Sequence, residues 1–136
     1  MIIGTGIDLL DIRRLERIIE THGDRFKLRY FTALEVKTAE SRTEVGTNLL
    51  AFAKRYAAKE ACAKALGTGF IDGIFMCDIE VTNDVLGKPS LTLYNGALKR
   101  LEAMTPSGNK AVIHLSLTDE PPYAQAQVII EAIEIK

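Results

Sequence analysis

Residues 52–69, FAKRYAAKEACAKALGTG, have the pattern of a long helix that ends in a glycine-rich turn. Apolar side chains recur at helical spacing through and before this segment, so one side of the helix is predicted to pack inward. Alanine and lysine favour helix, and Gly67 suits the left-handed position just past a helix end. We therefore predict that this helix is the central element of the fold.

The polar residues of this helix have a spacing of their own. Tyr56, Glu60 and Lys64 lie four residues apart and therefore share one face. One explanation is a solvent-exposed ion pair between Glu60 and Lys64, which is worth only about 0.2–0.5 kcal/mol. The other explanation is a functional site, and the rest of the sequence bears on the choice.

The N-terminal residues predict a strand over residues 2–10, which contains Gly4 and Gly6. Glycine inside a strand often marks the close approach of another backbone or of a ligand. Asp8 lies at the end of this strand, and Asp11 is a natural N-cap for the helix that follows. An acid at a strand end is commonly a turn or capping residue. Here Asp11 already supplies the cap, which leaves Asp8 without an obvious structural task.

The next segment is basic. Between residues 13 and 29 there are six Lys or Arg and three acids, an excess of three, although the whole chain has a net charge of −1. A solvated helix face is one explanation. A docking surface for an acidic partner is the other, because charge steering raises the encounter rate. The net charge argues against a general nucleic-acid binder.

Length and composition place limits on the class of protein. A chain of 136 residues with 47% apolar and 26% charged residues is typical of one globular domain, here 1–136. Neither a membrane-spanning run nor a basic leader is evident, so we expect a cytoplasmic protein that does not enter a membrane. Cys62 and Cys77 have neither metal-site spacing nor a disulfide framework around them.

The remaining elements complete a mixed fold. Helices are predicted over 12–21, 33–41 and 95–104, strands over 75–82, 91–94, 111–117 and 123–135, and a turn over 118–122. The order β-α-α-α-β-β-α-β-β predicts an α+β fold in which an antiparallel sheet packs against the long central helix.

Five motifs occur in order along nearly the whole chain: Gly6-Ile7-Asp8 followed by Arg14, Arg55-Tyr56-Ala57-Ala58-Lys59-Glu60-Ala61 with Lys64, Gly67-Thr68-Gly69, Asn83-Asp84 with Gly87-Lys88-Pro89, and His114-x-Ser116 before Tyr123-Ala124. Together they resemble the holo-acyl-carrier-protein synthase family, the short stand-alone type of the 4′-phosphopantetheinyl transferase superfamily. The resemblance implies transfer of phosphopantetheine from coenzyme A to a serine of acyl carrier protein in fatty acid biosynthesis, with release of 3′,5′-ADP.

The resemblance also implies a metal site. A hard cation would neutralise the charge that develops on the diphosphate, and Asp8 and Glu60 match the carboxylates that hold Mg²⁺ in the family. Lys64 matches a lysine that acts on the diphosphate, so the expected catalytic residues are Asp8, Glu60 and Lys64. The first strand must then end beside the central helix. The base stays open: Glu60 directly, Glu60 through water, or a metal-bound water.

Substrate and partner contacts follow from the same resemblance. Coenzyme A is expected at Arg55, Lys59, Lys64, Gly67, Thr68, Lys88 and His114, with a simple turn role for Lys88 and a structural role for His114 as alternatives. Acyl carrier proteins are acidic, which fits the basic segment, and docking is expected at Arg14, Arg17, Arg25 and Arg29. Members of this type form trimers with the site shared between subunits, so a homotrimer is expected.

Three other functions remain open. The chain could be a coenzyme A or nucleotide-binding module without transfer, although binding alone does not require the pair Asp8 and Glu60 together with Lys64. It could be a metal-dependent phosphohydrolase, which would consume coenzyme A without any carrier. It could also serve a polyketide or peptide-synthetase carrier domain, although a short stand-alone chain favours the fatty-acid carrier.

Overall fold

The computed structural model describes residues 1–71 and 73–136 and has the predicted α+β composition. The elements are β1 (Ile2–Asp11), α1 (Ile12–His22), α2 (Asp24–Tyr30), α3 (Ala33–Glu40), α4 (Thr47–Leu66), a short 3₁₀ turn (Met76–Asp78), β2 (Ile79–Asn83), β3 (Pro89–Leu93), α5 (Asn95–Met104), β4 (Asn109–Glu120) and β5 (Tyr123–Glu134). Within the described residues the strands form two antiparallel sheets, one in the order β1-β5-β4 and one made of β2 and β3.

Helix α4 is the predicted central helix, and it packs against β1 and β5. Many of its buried residues are alanines, including the fully buried Ala57 and Ala61. On β5, every second residue from Ala124 to Ala132 is also buried. The helix ends at Gly67, whose φ of 77° is left-handed and whose N–H donates to the Lys64 carbonyl at 3.0 Å. The predicted central helix and its glycine stop are therefore confirmed.

The two glycines of β1 explain how the strand and the helix come so close. A Cβ on Gly6 would overlap the carbonyl oxygen of Ala61, and one on Gly4 would overlap that of Ala65. Glycine in this strand predicted the close approach of another backbone or of a ligand, and the group that comes close is the backbone of α4. Asp8 is two residues further along and points to the same side, because side chains alternate along a strand.

Helix α2 is absent from the predicted element order, and this is the main correction to the topology. It has seven residues, Asp24 to Tyr30, of which only Phe26 is buried, so there is no apolar repeat to detect. Its position depends on aromatic packing: the Phe26 ring lies 5.9 Å from that of Phe31, just after the helix, and 6.3 Å from that of Tyr56 on α4. The basic segment is thus two short helices.

Several element boundaries also differ from prediction by a few residues, including the following three. Strand β1 continues to Asp11, so Asp8 lies inside the strand; Asp11 still caps α1, accepting from the Arg13 N–H at 3.0 Å. Residues 76–78 form a 3₁₀ turn, so β2 begins at Ile79. Strand β4 runs through the predicted turn to Glu120, which pairs with Tyr123 across a Pro-Pro link. Within the described residues, no helix combines the length and the apolarity needed to cross a membrane.

Candidate active site

The packing of β1 on α4 brings three of the predicted site residues together. Lys64, on the last turn of α4, donates from Nζ to the Ile7 carbonyl at 2.8 Å and to Asp8 Oδ1 at 3.2 Å. The Glu60 carboxylate lies one helical turn earlier and close enough to Asp8 for the two charges to repel. The geometric prediction that the first strand lies beside the central helix at these residues is confirmed.

Two carboxylates lie close together in this cluster. Burial, and then the negative charge of Asp8, raise the pKa of Glu60, while Tyr56, Lys64 and Arg14 oppose the rise. The Asp8 side chain is only 15% exposed, and its Oδ2 atom is buried without a hydrogen-bond partner among the described residues. A buried carboxylate oxygen without a partner is costly, so something outside the chain is expected to contact it.

A hard divalent cation fits that position. Mg²⁺ is usually held by one or two carboxylates, with water and substrate phosphates completing its coordination. Asp8, which has an unpartnered carboxylate oxygen, and Glu60 would hold such a cation, and its charge would offset the repulsion between the two carboxylates. The described residues contain no group of three or more His, Cys, Asp or Glu side chains that could hold a metal ion. The other ligands of Mg²⁺ in proteins are usually water and substrate oxygens.

The glycine turn lies at the same end of α4 as Lys64. Gly67 and Gly69 have φ of 77° and 62°, and the Thr68 hydroxyl donates to the Gly69 carbonyl at 3.2 Å. Arg100 of α5 donates from Nε to the Leu66 carbonyl at 2.8 Å and so fixes the start of the turn. Arg100 belongs to no sequence motif, so its contact with this turn could be found only from the structure.

Arg55 lies at a different pocket, of about 520 Å³. The residue is 4% exposed, and its guanidinium donates to the Ala51 carbonyl at 3.2 Å and to Asn83 Oδ1 at 3.1 Å. Its Nε is buried without a partner among the described residues, and burial lowers the pKa of the group. The structure thus joins the Arg55 motif to the Asn83 motif, which also includes Gly87.

Two basic residues at this pocket were missed by sequence reasoning. Arg42 and Lys54 line it beside Arg55, and Lys54 pairs with Asp119 at 2.8 Å. Arg42 lies in a polar loop with no motif, so no signal in the sequence marked it. Lys88 is exposed in the link between β2 and β3, where its backbone N–H donates to Asp84 Oδ1 at 2.9 Å. That contact closes the turn, the alternative role considered for this residue.

His114 is not part of either group. It lies on the exposed side of β4, where Nε2 is 3.2 Å from Glu131 Oε1 of the neighbouring strand. The structure therefore brings Asp8, Glu60 and Lys64 together with the glycine turn, and places Arg55 and His114 elsewhere on the same chain.

The structure corrects the prediction made for Lys59. It was expected to contact coenzyme A, but its side chain is fully buried. Its ammonium group donates to Glu35 Oε1 at 2.6 Å, to the Met76 carbonyl at 2.9 Å and to the Ile79 carbonyl, which uses all three protons. Lys59 is adjacent to Glu60 in sequence but points into the protein, so it has no proton left for a ligand.

The four arginines expected to dock a carrier are all exposed. Arg25 and Arg29 line a pocket of about 540 Å³ whose wall includes Tyr56 of α4. Arg14 is close enough to lower the pKa of both Tyr56 and Glu60. Arg17 lies on α1 near Asp11. Three of the four thus lie near Tyr56 of α4, one helical turn before Glu60.

Comparison with known proteins gives consistent results. A family model described as the 4′-phosphopantetheinyl transferase superfamily matches residues 4–116. The chain is 54% identical over 138 residues to a holo-[acyl-carrier-protein] synthase of Granulibacter bethesdensis, and the alignment covers 99% of this chain and 92% of that protein.

Solved structures agree. The structure is similar to that of a holo-[acyl-carrier-protein] synthase from Neisseria meningitidis, with a TM-score of 0.82, 35% identity, and coverage of 96% of this chain and 99% of that one. It is similar also to the synthase from Bacillus anthracis solved in complex with CoA (3′,5′-ADP), with a TM-score of 0.78, 33% identity, and coverage of 98% and 99%.

Proposed function

The chain belongs to the 4′-phosphopantetheinyl transferase superfamily, and we propose that it is a holo-[acyl-carrier-protein] synthase acting in fatty acid biosynthesis. It transfers the 4′-phosphopantetheine arm of coenzyme A to a serine of apo acyl carrier protein and releases 3′,5′-ADP. The observation that carries this proposal is the meeting of Asp8, Glu60 and Lys64 at one end of α4. We take the whole chain, 1–136, as one transferase domain that works in the cytoplasm.

The reaction exchanges one phosphorus–oxygen bond for another. The serine Oγ bonds to the phosphorus nearer the pantetheine, the bond from that phosphorus to the 3′,5′-ADP oxygen breaks, and the serine loses its proton to a base. Asp8 and Glu60 would hold Mg²⁺, which when bound neutralises charge on the diphosphate. Lys64 is the positive side chain beside Asp8, and its ammonium is exposed enough to reach the departing ADP.

Coenzyme A contacts are proposed for Arg55, Gly67, Thr68, Lys88 and His114, in addition to Lys64, whereas Lys59 is excluded by its burial. Arg55 lines a pocket that does not include Asp8, and His114 is on the opposite face of the sheet from Asp8, which supports a site completed by a neighbouring copy. His114 is on the same face of the sheet as Ile7 and Leu9, which are 54% and 63% exposed. Exposed apolar side chains on a sheet face are typical of an interface, and we propose a homotrimer.

Carrier docking is proposed for the basic surface formed by Arg14, Arg17, Arg25 and Arg29. An acidic carrier attracted to this surface would present its serine near Glu60, because Arg14 is near that residue and the pocket of Arg25 and Arg29 includes Tyr56.

The decisive experiment is the intact mass of an apo acyl carrier protein after incubation with the protein, coenzyme A and Mg²⁺. We expect a gain of one phosphopantetheine arm, and no gain with the Glu60→Ala variant or with EDTA. Bound coenzyme A without a gain on fatty-acid or synthetase-type carriers would indicate a binding module. Loss of coenzyme A without a carrier would indicate a hydrolase. A mass gain only on a synthetase-type carrier would mean that the reaction is as proposed but that the partner is a different carrier.

A further inference from the structure

Helix α5 contacts the glycine turn, and none of the roles proposed so far involves this helix. Arg100, half-buried on α5, donates from Nε to the Leu66 carbonyl at 2.8 Å. Leu66 is the last residue of α4, and the turn begins directly after it at Gly67. The side chain of Arg100 is therefore attached to the residue from which the turn starts.

The Leu66 carbonyl needs a donor from outside the helix. The last carbonyls of a helix have no partner within it, and here the backbone N–H groups of the turn donate to the Lys64 and Ala63 carbonyls, at 3.0 and 3.3 Å. Among the described residues, none of these N–H groups donates to Leu66. Arg100 supplies that hydrogen bond, and its positive charge also suits the C-terminal end of a helix, which carries a partial negative charge.

Helix α5 also contacts the chain beyond the turn. A Cβ on Gly96, near the start of α5, would overlap the carbonyl oxygen of Gly73, so the two backbones are in direct contact there. Asn95 then donates from Nδ2 to Asp78 Oδ1 at 3.0 Å, in the 3₁₀ turn before β2. Helix α5 thus contacts the chain on both sides of the glycine turn, at Leu66 before it and at Gly73 after it.

The glycine turn needs such outside contacts to keep one shape. Gly67 and Gly69 have left-handed φ values, and glycine is the residue with the greatest backbone freedom. The Thr68 hydroxyl donates within the turn itself, to the Gly69 carbonyl. A phosphate group held by backbone N–H groups binds more tightly when those groups are fixed beforehand, because ordering them during binding costs affinity.

We propose that Arg100 is a positioning residue of the coenzyme A site: its hydrogen bond to Leu66 keeps the glycine turn in the conformation that receives a phosphate of coenzyme A. The inference rests on the proposed function, which assigns Gly67 and Thr68 to that substrate. Arg100 acts through the turn and takes no part in the bond changes at phosphorus. It therefore affects the binding of coenzyme A and not the binding of the carrier.

The test variant is Arg100→Leu, which removes the donor but keeps a side chain that can pack on the helix. The matched control is Thr105→Val. Thr105 is also half-buried and donates from Oγ1 to the Leu101 carbonyl at 2.6 Å, so the control loses a side-chain hydrogen bond to a carbonyl at the other end of α5, away from the turn.

Four measurements are made on each protein. Coenzyme A is titrated by calorimetry with Mg²⁺ present and without carrier, at a temperature below the Tm of the least stable variant. Steady-state transfer gives the KM for apo carrier. Hydrogen exchange of the ligand-free protein reports local opening over residues 67–71, and thermal unfolding gives the Tm.

For Arg100→Leu we expect the affinity for coenzyme A to fall about tenfold, the effect of one hydrogen bond to a charged group, with faster exchange at the turn and an unchanged KM for carrier. Thr105→Val should bind coenzyme A as the wild type does, even if its Tm falls equally.

The proposal is overturned if Arg100→Leu binds coenzyme A with wild-type affinity, or if it raises only the KM for carrier. An equal loss of affinity in Thr105→Val would also overturn it, because the cause would then be general stability. If the wild type binds coenzyme A but transfers nothing, the proposed function fails, while the titration still decides whether Arg100 positions the turn. A wild type that does not bind coenzyme A would overturn both.

Discussion

Lys59 and Glu35 form an ion pair that is entirely inside the protein, with Nζ 2.6 Å from Oε1 and both side chains 0% exposed. Glu35 also accepts the backbone N–H groups of Thr32 and Val81, at 2.9 Å each. Burial lowers the pKa of Lys59, and the charge of Glu35 opposes that fall. The pair joins α3, α4 and β2, so it holds in place the helix on which Glu60 and Lys64 lie.

Replacing Lys59 by methionine should therefore destabilise the fold. The variant leaves Glu35 buried without its positive partner, and breaking a buried pair in this way costs about 3–5 kcal/mol. Urea unfolding measures this loss. Lys54→Met, which breaks the partly exposed pair with Asp119, is the control and should cost less than about 1 kcal/mol. A Lys59→Met protein of wild-type stability that binds coenzyme A weakly would restore Lys59 to the ligand contacts.

Gly6→Ala should push β1 away from α4. Its Cβ would overlap the Ala61 carbonyl oxygen, which belongs to helix backbone and cannot turn aside. We expect a loss of about 1–3 kcal/mol from overpacking, together with weaker Mg²⁺ binding because Asp8 moves with the strand. Urea unfolding and Mg²⁺ calorimetry measure the two effects, and Thr92→Ala, at an exposed position of β3, is the control. Unchanged stability would mean that the strand and the helix can separate without cost.

Lys64→Gln should reduce turnover and leave the fold intact. The side chain is 53% exposed, so its removal costs little stability, whereas loss of one charge that stabilises a transition state lowers kcat about 100-fold or more. Mg²⁺ affinity should not fall, since removing a positive charge beside Asp8 favours a cation there. Lys99→Gln, at an exposed position of α5, is the control. Wild-type kcat for Lys64→Gln would exclude a role on the diphosphate.

Glu60→Gln should stabilise the metal-free protein at neutral pH. Because the folded-state pKa of Glu60 is raised above its ordinary value of 4.5, the folded state binds the proton more tightly than the unfolded state. Ionisation of Glu60 therefore lowers the stability of the folded protein as the pH rises above about 4.5. The glutamine side chain of the variant does not ionise, so the variant avoids this loss of stability. Thermal unfolding in EDTA should show a Tm gain at pH 7 that shrinks towards pH 4.5.

The control for this pH dependence is Glu134→Gln, an exposed carboxylate on β5. It should show no comparable gain. A Tm gain for Glu60→Gln that is equal at both pH values would contradict the assignment to ionisation. A gain that disappears when Mg²⁺ is added would be consistent with the proposed metal site, because the cation relieves the same repulsion.

The sequence-based predictions succeeded where a local rule applied. Gly67 ends α4 because a left-handed position follows the helix, and Asp11 caps α1, both of which depend on neighbouring residues alone. The approach of Asp8 to Glu60 was predictable for a different reason. The chemistry implied by the motifs requires the two carboxylates to share one cation, and Gly4 and Gly6 mark the strand that comes close.

The failures depend on contacts between distant parts of the chain. Lys59 has the residue type of a phosphate ligand, and nothing adjacent to it indicates that Glu35 and the carbonyls before β2 take up all of its protons. Helix α2 is formed by the packing of Phe26 against aromatic rings of other segments. Arg100 reaches the glycine turn across 34 residues of sequence.

Arg14→Glu should weaken carrier binding while coenzyme A binding survives. Arg14 lies near Glu60 and Tyr56, at the mouth of the site, and reversing its charge repels an acidic carrier as it approaches. We expect the KM for apo carrier to rise about tenfold at low salt and the difference to narrow as salt screens the charges. Arg13→Glu is the control. Arg13 is on the same helix as Arg14, but its side chain is already paired with Asp11 at 2.7 Å. Calorimetry with coenzyme A alone distinguishes an effect on coenzyme A binding from an effect on carrier binding. A loss of coenzyme A binding in Arg14→Glu would place this arginine at the nucleotide and not at the carrier.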